Sequence, residues 1–119
     1  MKNHFATYNQ SLALKELGFN EPCFGLYAPP SKTVFLHHYG LLSAKEQILA
    51  PLKSQVFEFF RGYKLTVVIE DYLDDYEVKI VEWTLSDDRI THEFPNRFDS
   101  WGDAESAAID KLIEIVKMK

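Results

Sequence analysis

The spacing of apolar residues predicts three helices with strand-like stretches between them. The first helix begins after Thr7, because Thr7 and Gln10 have the spacing of a capping box, in which each side chain accepts a hydrogen bond from the other residue's amide. It ends at Gly18, since glycine tolerates the left-handed backbone of a Schellman motif, with Phe19 packing back on the helix. Apolar residues occur on two sides of this helix, so either both sides are covered or Leu12 is exposed.

Two apolar stretches with a strand-like composition follow, at residues 24–28 and 33–39. Turn-forming residues join them, which predicts a β-hairpin. Residues 40–50 are left open, because a short helical turn fits there while Pro51 disfavours helical geometry at the residue before it. The second helix is predicted to begin at Pro51, a residue suited to the first helical position. Its apolar stripe contains Leu52, Val56, Phe57, Phe59, Phe60 and Tyr63.

A second hairpin is predicted from strands at residues 65–70 and 76–85, joined by the acidic turn 71–75. In its second strand the apolar alternation changes face after Ile80, where Glu82 interrupts the series. Such a change predicts a β-bulge near Ile80 and Val81. A short edge strand should follow at residues 89–94.

The last helix has the most regular apolar pattern. Ser100 is its predicted N-cap, with Asp103 three residues later. The apolar stripe contains Trp101, Ala104, Ala108, Ile109, Leu112, Ile115 and Val116. Together these elements predict a single α+β domain over residues 1–119, with two layers in which helices cover one side of an antiparallel sheet of four to five strands. The element order is α-β-β-α-β-β-(β)-α, and the order of strands within the sheet stays open.

The composition fits a protein that has a packed core and no disulfide bonds. The 119 residues are 46% hydrophobic and 14% aromatic, which is enough apolar material for one domain. Cys23 is the only cysteine, so no intrachain disulfide can form. The first residues lack the apolar region of a signal peptide, and no run approaches the roughly 18 apolar residues of a membrane span. We therefore expect a cytoplasmic protein without membrane association.

The charge is distributed unevenly along the chain. Residues 1–64 hold seven Lys and Arg against four Asp and Glu, whereas residues 65–119 hold six against fourteen, a net charge of −8. This balance gives no support for nucleic-acid binding, which needs a basic surface. A basic protein partner suits the acidic half better.

The residue types that carry catalysis occur without a catalytic spacing. His37 and His38 are adjacent in a predicted strand, where successive side chains point to opposite faces. Cys23 has no cationic neighbour to activate its thiol, and the acidic residues 70–77 lack the central glycine of an EF-hand. The common nucleophile, phosphate-binding and zinc signatures are also missing. No catalytic residue, metal or cofactor is predicted, and a non-enzymatic role is favoured.

Glu105 is the polar residue that the helix pattern does not explain, because it falls inside the apolar stripe beside Trp101. Two interpretations are open. The carboxylate can lie at the helix rim, favoured by the helix dipole or paired with Arg97. Alternatively, it lines a small-ligand or enzymatic pocket together with Trp101, His92 or Arg97.

The aromatic residues are more numerous than one helix–sheet interface needs. They include Tyr27, Tyr39, Tyr63, Tyr72, Tyr76, Trp83 and Trp101. Grouped on one face of the sheet, the exposed ones would form a protein-binding surface, since interface cores are rich in Tyr and Trp. The candidate binding residues are Glu105, Trp101, Trp83, Tyr72 and Tyr76.

Several blocks of the chain resemble one family when they are taken in order. The blocks are LKELGFNEPC at residues 14–23, APL at 50–52, FEFFR at 57–61 and AESAAIDKLIEIV at 104–116. They are similar to a family of short proteins found in phages and prophage regions of Bacteroides-type bacteria, although residues 53–63 depart from that family's usual pattern. The resemblance implies a phage accessory protein and brings no activity, cofactor or catalytic residue with it. We therefore expect an interaction module that binds a host or phage protein.

Overall fold

The computed structural model describes residues 4–19, 25–27, 34–36, 48–86 and 88–119. The helices and strands in these residues are α1 (Tyr8–Glu16), β1 (Gly25–Tyr27), β2 (Val34–Leu36), β3 (Ile48–Ala50), α2 (Lys53–Arg61), β4 (Leu65–Tyr72), β5 (Asp75–Trp83), β6 (Arg89–Glu93) and α3 (Trp101–Lys117). The α+β class is confirmed.

The described strands form two antiparallel sheets of three strands each, in the orders β2-β1-β3 and β4-β5-β6. The predicted single sheet of four to five strands is therefore not the arrangement of the described residues. The strand that the prediction lacks is β3, in the stretch that the pattern left open. Contacts group the chain into two compact units, Met1–Val56 and Phe57–Lys119, and each is described by itself. The single domain over residues 1–119 stays a prediction.

Local hydrogen bonds fix both ends of α1, as predicted. The Thr7 amide donates to Gln10 Oε1 at 2.9 Å, and the Gln10 amide donates to Thr7 Oγ1 at 3.1 Å, which completes the capping box. At the other end Gly18 has a φ of +94°. The Phe19 amide donates to the Leu14 carbonyl at 3.0 Å and the Gly18 amide to that of Lys15 at 3.1 Å, which is the Schellman pattern.

Replacing Thr7 with alanine should lower the free energy of unfolding by about 1 kcal/mol, because the Gln10 amide loses its acceptor. Chemical denaturation followed by circular dichroism measures the change. Thr7→Ser is the matched control, since serine keeps the hydroxyl, and it should stay close to the wild type. Equal losses in the two variants would contradict a capping role.

The core of the first unit surrounds β1. Tyr27 is buried with Phe5 and Ile48, and Tyr8 and Leu52 pack against them. The Tyr27 hydroxyl donates to the Ala6 carbonyl at 2.7 Å, and burial raises the pKa of this phenol. The antiparallel pairing of β1 with β2 agrees with the predicted first hairpin. The hairpin's connecting residues and the helical turn proposed near residues 43–46 lie outside the described residues.

Helix α2 begins two residues later than predicted. The Ala6 amide donates to the Pro51 carbonyl at 2.9 Å, and Leu52 forms an antiparallel bridge with Phe5. This pairing keeps Pro51 and Leu52 extended, so the proline does not take the first helical position. The Gln55 side chain caps the helix instead, accepting a hydrogen bond from the Leu52 amide at 3.0 Å.

The sheet of the second unit has a tighter turn and a more regular register than the sequence predicts. Strands β4 and β5 are joined by Leu73 and Asp74 alone, because Tyr72 already pairs with Asp75. The pairing continues without interruption to the partners of Glu82, so the predicted bulge at Ile80 and Val81 is wrong. Strand β6 lies at the edge of this sheet, as expected.

Helix α3 covers one face of this sheet. The Ser100 hydroxyl accepts from the Asp103 amide at 3.1 Å, which confirms the predicted N-cap. Ala104 and Ala108 then form a core with Val78. Residues paired across antiparallel strands share a face. The helix-covered face thus includes Leu65, Val67, Ile69, Tyr76, Val78, Ile80, Glu82, Ile90 and His92. The opposite face carries Thr66, Val68, Glu70, Tyr72, Glu77, Lys79, Val81, Trp83 and Arg89.

Helix α3 and strand β5 run in the same direction and have similar lengths. The rings of Trp101 and Tyr76 meet where both elements begin, and Lys119 contacts Glu82 where both end. Seventeen helical residues rise about 25 Å, and nine strand residues span nearly the same distance. We call the side at Leu73 and Asp74 the hairpin end, and the side at residues 84–88 the turn end.

Among the described residues, no helix combines the length and the apolar character needed to cross a membrane.

Candidate functional site

The hairpin end presents a leucine in an unfavourable position. Leu73 is fully exposed, with 102% relative accessibility, and its φ is +39°. Left-handed backbone at a hairpin turn normally selects Gly, Asn or Asp, because a larger side chain crowds the backbone there. The residues around it carry five carboxylates. These are Glu70, Asp71, Asp74, Asp75 and Glu77.

Arg97 contacts several side chains beside this turn, on the face of the sheet opposite α3. The Arg97 guanidinium lies 4.1 Å from the centre of the Tyr72 ring, in cation–π geometry. It also pairs with Asp75 Oδ1 at 3.4 Å and approaches Glu77 Oε2 at 3.9 Å. The Tyr72 hydroxyl donates to Glu70 Oε2 at 2.8 Å, which raises the pKa of the phenol. Tyr72 is thus held in place while part of its ring stays exposed.

The other two aromatic residues of the hairpin end lie on the face that α3 covers. Tyr76 and Trp101 meet edge to face, with ring centres 5.7 Å apart, and the Trp101 side chain is about half exposed. Tyr72 pairs with Asp75, the neighbour of Tyr76, so the two tyrosines point to opposite faces.

The predicted binding residues therefore do not form one surface. Tyr72, Tyr76 and Trp101 gather around the hairpin end, whereas Trp83 lies at the other end of β5, about 23 Å from Tyr76 along the strand. Glu105 is partly buried in the first half of α3.

The partners proposed for Glu105 have other contacts. Arg97 binds Asp75 and Glu77 rather than Glu105, and His92 binds Glu82. Both interpretations of Glu105, at a helix rim or in a pocket, stay predictions.

Sequence reasoning missed the role of Glu82, which anchors the turn end. Its side chain is only 12% exposed on the helix-covered face. The Lys119 ammonium donates to Glu82 Oε2, and His92 Nε2 lies 3.1 Å from Glu82 Oε1. Hydrogen bonds from Lys119 and then from His92 hold the pKa of Glu82 below its ordinary value of 4.5. Glu82 thereby joins β5 to the edge strand β6 and to the end of α3.

Exposed apolar residues surround this end of the sheet. Leu85, 96% accessible, lies in the turn that closes when the Thr84 amide donates to the Asp88 carbonyl at 2.9 Å. Ile90 pairs with Glu82, and the Trp83 amide donates to the Lys64 carbonyl at 3.0 Å. Five large apolar side chains are exposed here. They are Tyr63, Trp83, Leu85, Ile90 and Met118.

The turn end carries basic and acidic side chains together. The basic residues are Lys64, Arg89, Lys117 and Lys119, all with exposed side chains. Asp88 is the exposed carboxylate of the described turn, and the Ser86 hydroxyl lies 3.3 Å from its Oδ2. Both ends of the sheet thus expose apolar residues beside charged side chains.

The remaining candidates from the sequence give no site in the described part of the chain. His37, His38 and Cys23 lie outside the described residues, and His4 is exposed. Among the residues that the structure describes, no three His, Cys, Asp or Glu side chains are grouped so that they could hold a metal ion.

Comparison with protein-family models, curated proteins and solved structures finds no match to this chain. The resemblance to a family of phage proteins stays a prediction. Function must therefore be inferred from the geometry of the two ends of the second sheet.

Proposed function

We propose that this chain is a non-enzymatic phage or prophage accessory protein that binds a basic partner protein through the hairpin end of its second sheet. The observation that carries the proposal is Leu73, a fully exposed leucine with left-handed backbone at the tip of an acidic hairpin. Strained backbone in a protein often marks a functional position.

Leu73 is unfavourable for the fold in two independent ways. Left-handed backbone is disfavoured for a branched side chain by about 1–2 kcal/mol, and full exposure gives the leucine no burial energy in return. Glycine or asparagine would form the same turn with less strain. A binding role explains the leucine, because an apolar tip can insert into a pocket of a partner.

The surroundings of the tip indicate what kind of partner fits. Five carboxylates flank Leu73, and two described cations pair with them, Arg97 with Asp75 and Glu77, and Lys79 with Glu77. Tyr72 and Trp101 present partly exposed rings on either side, and such side chains supply apolar area together with a polar group. The complementary surface has an apolar pocket with Lys or Arg at its rim.

Leu73→Asn separates this proposal from a purely structural role. The variant should fold with equal stability or gain up to about 1 kcal/mol, because asparagine tolerates left-handed backbone. At the same time it should lose at least about tenfold in partner recovery, as for truncation of an interface hot spot. The two measurements are chemical denaturation and quantitative mass spectrometry of proteins captured from bacterial extract at low salt.

The matched control is Leu12→Gln, which removes another exposed leucine, on α1. It should leave capture unchanged, and added salt should weaken capture by the wild type. A partner that the wild type and Leu73→Asn recover equally would contradict the proposal. So would a wild type that captures nothing.

A further inference from the structure

We propose that the edge strand β6 pairs with β6 of a second copy of this chain, so that two molecules share one continuous antiparallel sheet. This inference concerns a different part of the second unit from the hairpin end, and it does not depend on the proposed function. It rests on the backbone, the charges and the exposed residues of β6.

Strand β6 has a neighbour on one side. Its sheet has the order β4-β5-β6, and within the described residues no further strand pairs with β6. All residues of β6 are exposed except His92, which is partly buried. The outer edge of β6 is therefore accessible, and an open edge of this kind is where another chain can add a strand to a sheet.

The hydrogen bonds of the sheet show which backbone groups of β6 point outward. The Thr84 amide donates to the Asp88 carbonyl at 2.9 Å, so these residues form a hydrogen-bonded pair in the register of β5 and β6. Bonded and non-bonded pairs alternate along antiparallel strands, so Ile90, two residues further on, also bonds to β5. The residues between the bonded ones direct their amides and carbonyls to the open edge. They are Arg89, Thr91 and Glu93.

A twofold axis beside Thr91 matches these groups with those of a second copy. In that register Thr91 lies opposite Thr91 of the second copy, and Arg89 lies opposite Glu93 of the second copy. Because the axis repeats each contact, the charge pair occurs twice, and all three outward residues exchange both backbone hydrogen bonds. Glu93 then lies between Arg89 of the second copy and Lys79, its cross-strand neighbour on β5. Opposite charges directly across two strands stabilise their pairing.

The neighbouring registers match the sequence of β6 less well. An axis at Ile90 would place Arg89 opposite Thr91, and an axis at His92 would place Glu93 opposite Thr91. Parallel pairing would place each charge opposite its own copy, which is unfavourable. Charged residues often protect an edge from pairing, but here they are complementary in one antiparallel register.

The same register covers an apolar side chain that is otherwise exposed. Ile90 is 49% accessible and lies on the helix-covered face, beside the open edge. In the proposed pair it lies opposite His92 of the second copy, so that each imidazole ring shields an isoleucine from water.

The dimer should be weak, because one short strand from each molecule buries little area. Sedimentation equilibrium at increasing protein concentration measures its formation. We expect a reversible change from monomer to dimer without larger species, since each molecule has a single β6 edge to share. A wild type that stays monomeric at the highest concentrations would overturn the proposal.

Charge reversal at either end of β6 tests the register. Arg89→Glu and Glu93→Arg each place like charges at both ends of the contact, so each variant alone should dimerise at least about tenfold more weakly than the wild type. An equal mixture of the two should form dimers, because a strand with two carboxylates then meets a strand with two guanidinium groups. The double variant also restores opposite charges and should dimerise.

Arg61→Glu is the matched control, because it makes the same change of charge at an exposed position of α2. It should dimerise like the wild type, and circular dichroism checks that every variant is folded. If the folded single variants dimerise as well as the wild type, β6 is not the interface. If neither the mixture nor the double variant restores dimers, the register centred on Thr91 is wrong.

Thr91→Pro tests the strand pairing without changing any charge. The amide that proline lacks points to the open edge, so the hydrogen bonds between β6 and β5 are kept. The dimer would lose a backbone hydrogen bond at its axis and gain a ring between the strands, so this variant should be monomeric. A folded Thr91→Pro variant that dimerises normally would contradict pairing through β6.

This inference and the proposed function can fail separately. Leu73→Asn should dimerise like the wild type, since Leu73 lies in the turn between β4 and β5. The charge-reversal variants should still capture the partner of the hairpin end. A monomeric wild type would remove the dimer and leave the proposed function standing, whereas equal capture by the wild type and Leu73→Asn would remove only the proposed function.

Discussion

Leu112→Ala is expected to lower the free energy of unfolding by about 2–5 kcal/mol, the range for removing a large aliphatic side chain from a core. Leu112 has no accessible surface and lies in the buried stripe of α3 with Ala108 and Ile109. Truncation removes buried methyl groups and leaves a cavity that a helix fixed to a sheet can close only in part. Urea denaturation followed by circular dichroism measures the loss.

Asp110→Ala is the control for helix propensity, because Asp110 lies on the exposed side of the same helix. It should change the free energy of unfolding by no more than about 0.5 kcal/mol. If Leu112→Ala were no worse than this control, α3 would not be packed as described.

Glu82→Gln should lower the free energy of unfolding by about 1.5–3 kcal/mol at neutral pH, which is the range for a hydrogen bond to a charged group. The largely buried carboxylate is held by Lys119 and His92, and an amide of the same shape keeps the space but loses the charge. Glu114→Gln is the matched control. That carboxylate is more than half exposed beside Lys111, and surface pairs of this kind contribute little.

The effect of Glu82 should depend on pH with a definite sign. Its pKa in the folded protein is below the ordinary value of 4.5. The unfolded chain therefore takes up the proton first as the pH falls. The stabilisation is fully present above pH 4.5 and is lost as the pH falls through the folded-state pKa. The difference between wild type and Glu82→Gln should shrink in acid, and a difference that persists unchanged would show that the charge is not its cause.

Features that depend on neighbouring residues could be predicted from the sequence. The cap at Thr7 and the cap at Ser100 each need a partner three residues away, and Gly18 closes a helix through bonds to the preceding turn. The apolar stripe of α3 is likewise a matter of regular spacing. These features are set by residues close together in the sequence, so the local structure that they form does not depend on where the rest of the chain lies.

Features that depend on distant residues could not be predicted in this way. Glu82 interrupts an apolar series, and a bulge was the local explanation. The groups that stabilise Glu82 on the helix-covered face are 10 and 37 residues away, at His92 and Lys119. The start of α2 has the same origin, since the Ala6 amide holds Pro51 extended.

The sequence identified the aromatic and acidic residues of the candidate site, but not how they are arranged on the sheet. The acidic turn was expected to take five residues, whereas Leu73 and Asp74 alone form it. Because side chains alternate along a strand, this shorter turn places Tyr72 and Tyr76 on opposite faces. It also places Leu73 at the tip of the hairpin, a position that the expected five-residue turn did not assign to it.

The direction of α3 along β5 sets how the molecule is oriented when it is immobilised. Lys119 contacts Glu82 at the turn end, so an attachment made after Lys119 leaves the protein at that end. A molecule anchored to a bead through that attachment would present Leu73 outward and crowd its own turn end. Anchoring of this kind leaves only the hairpin end accessible. A partner that binds the turn end would be recovered only when the attachment is made at another position.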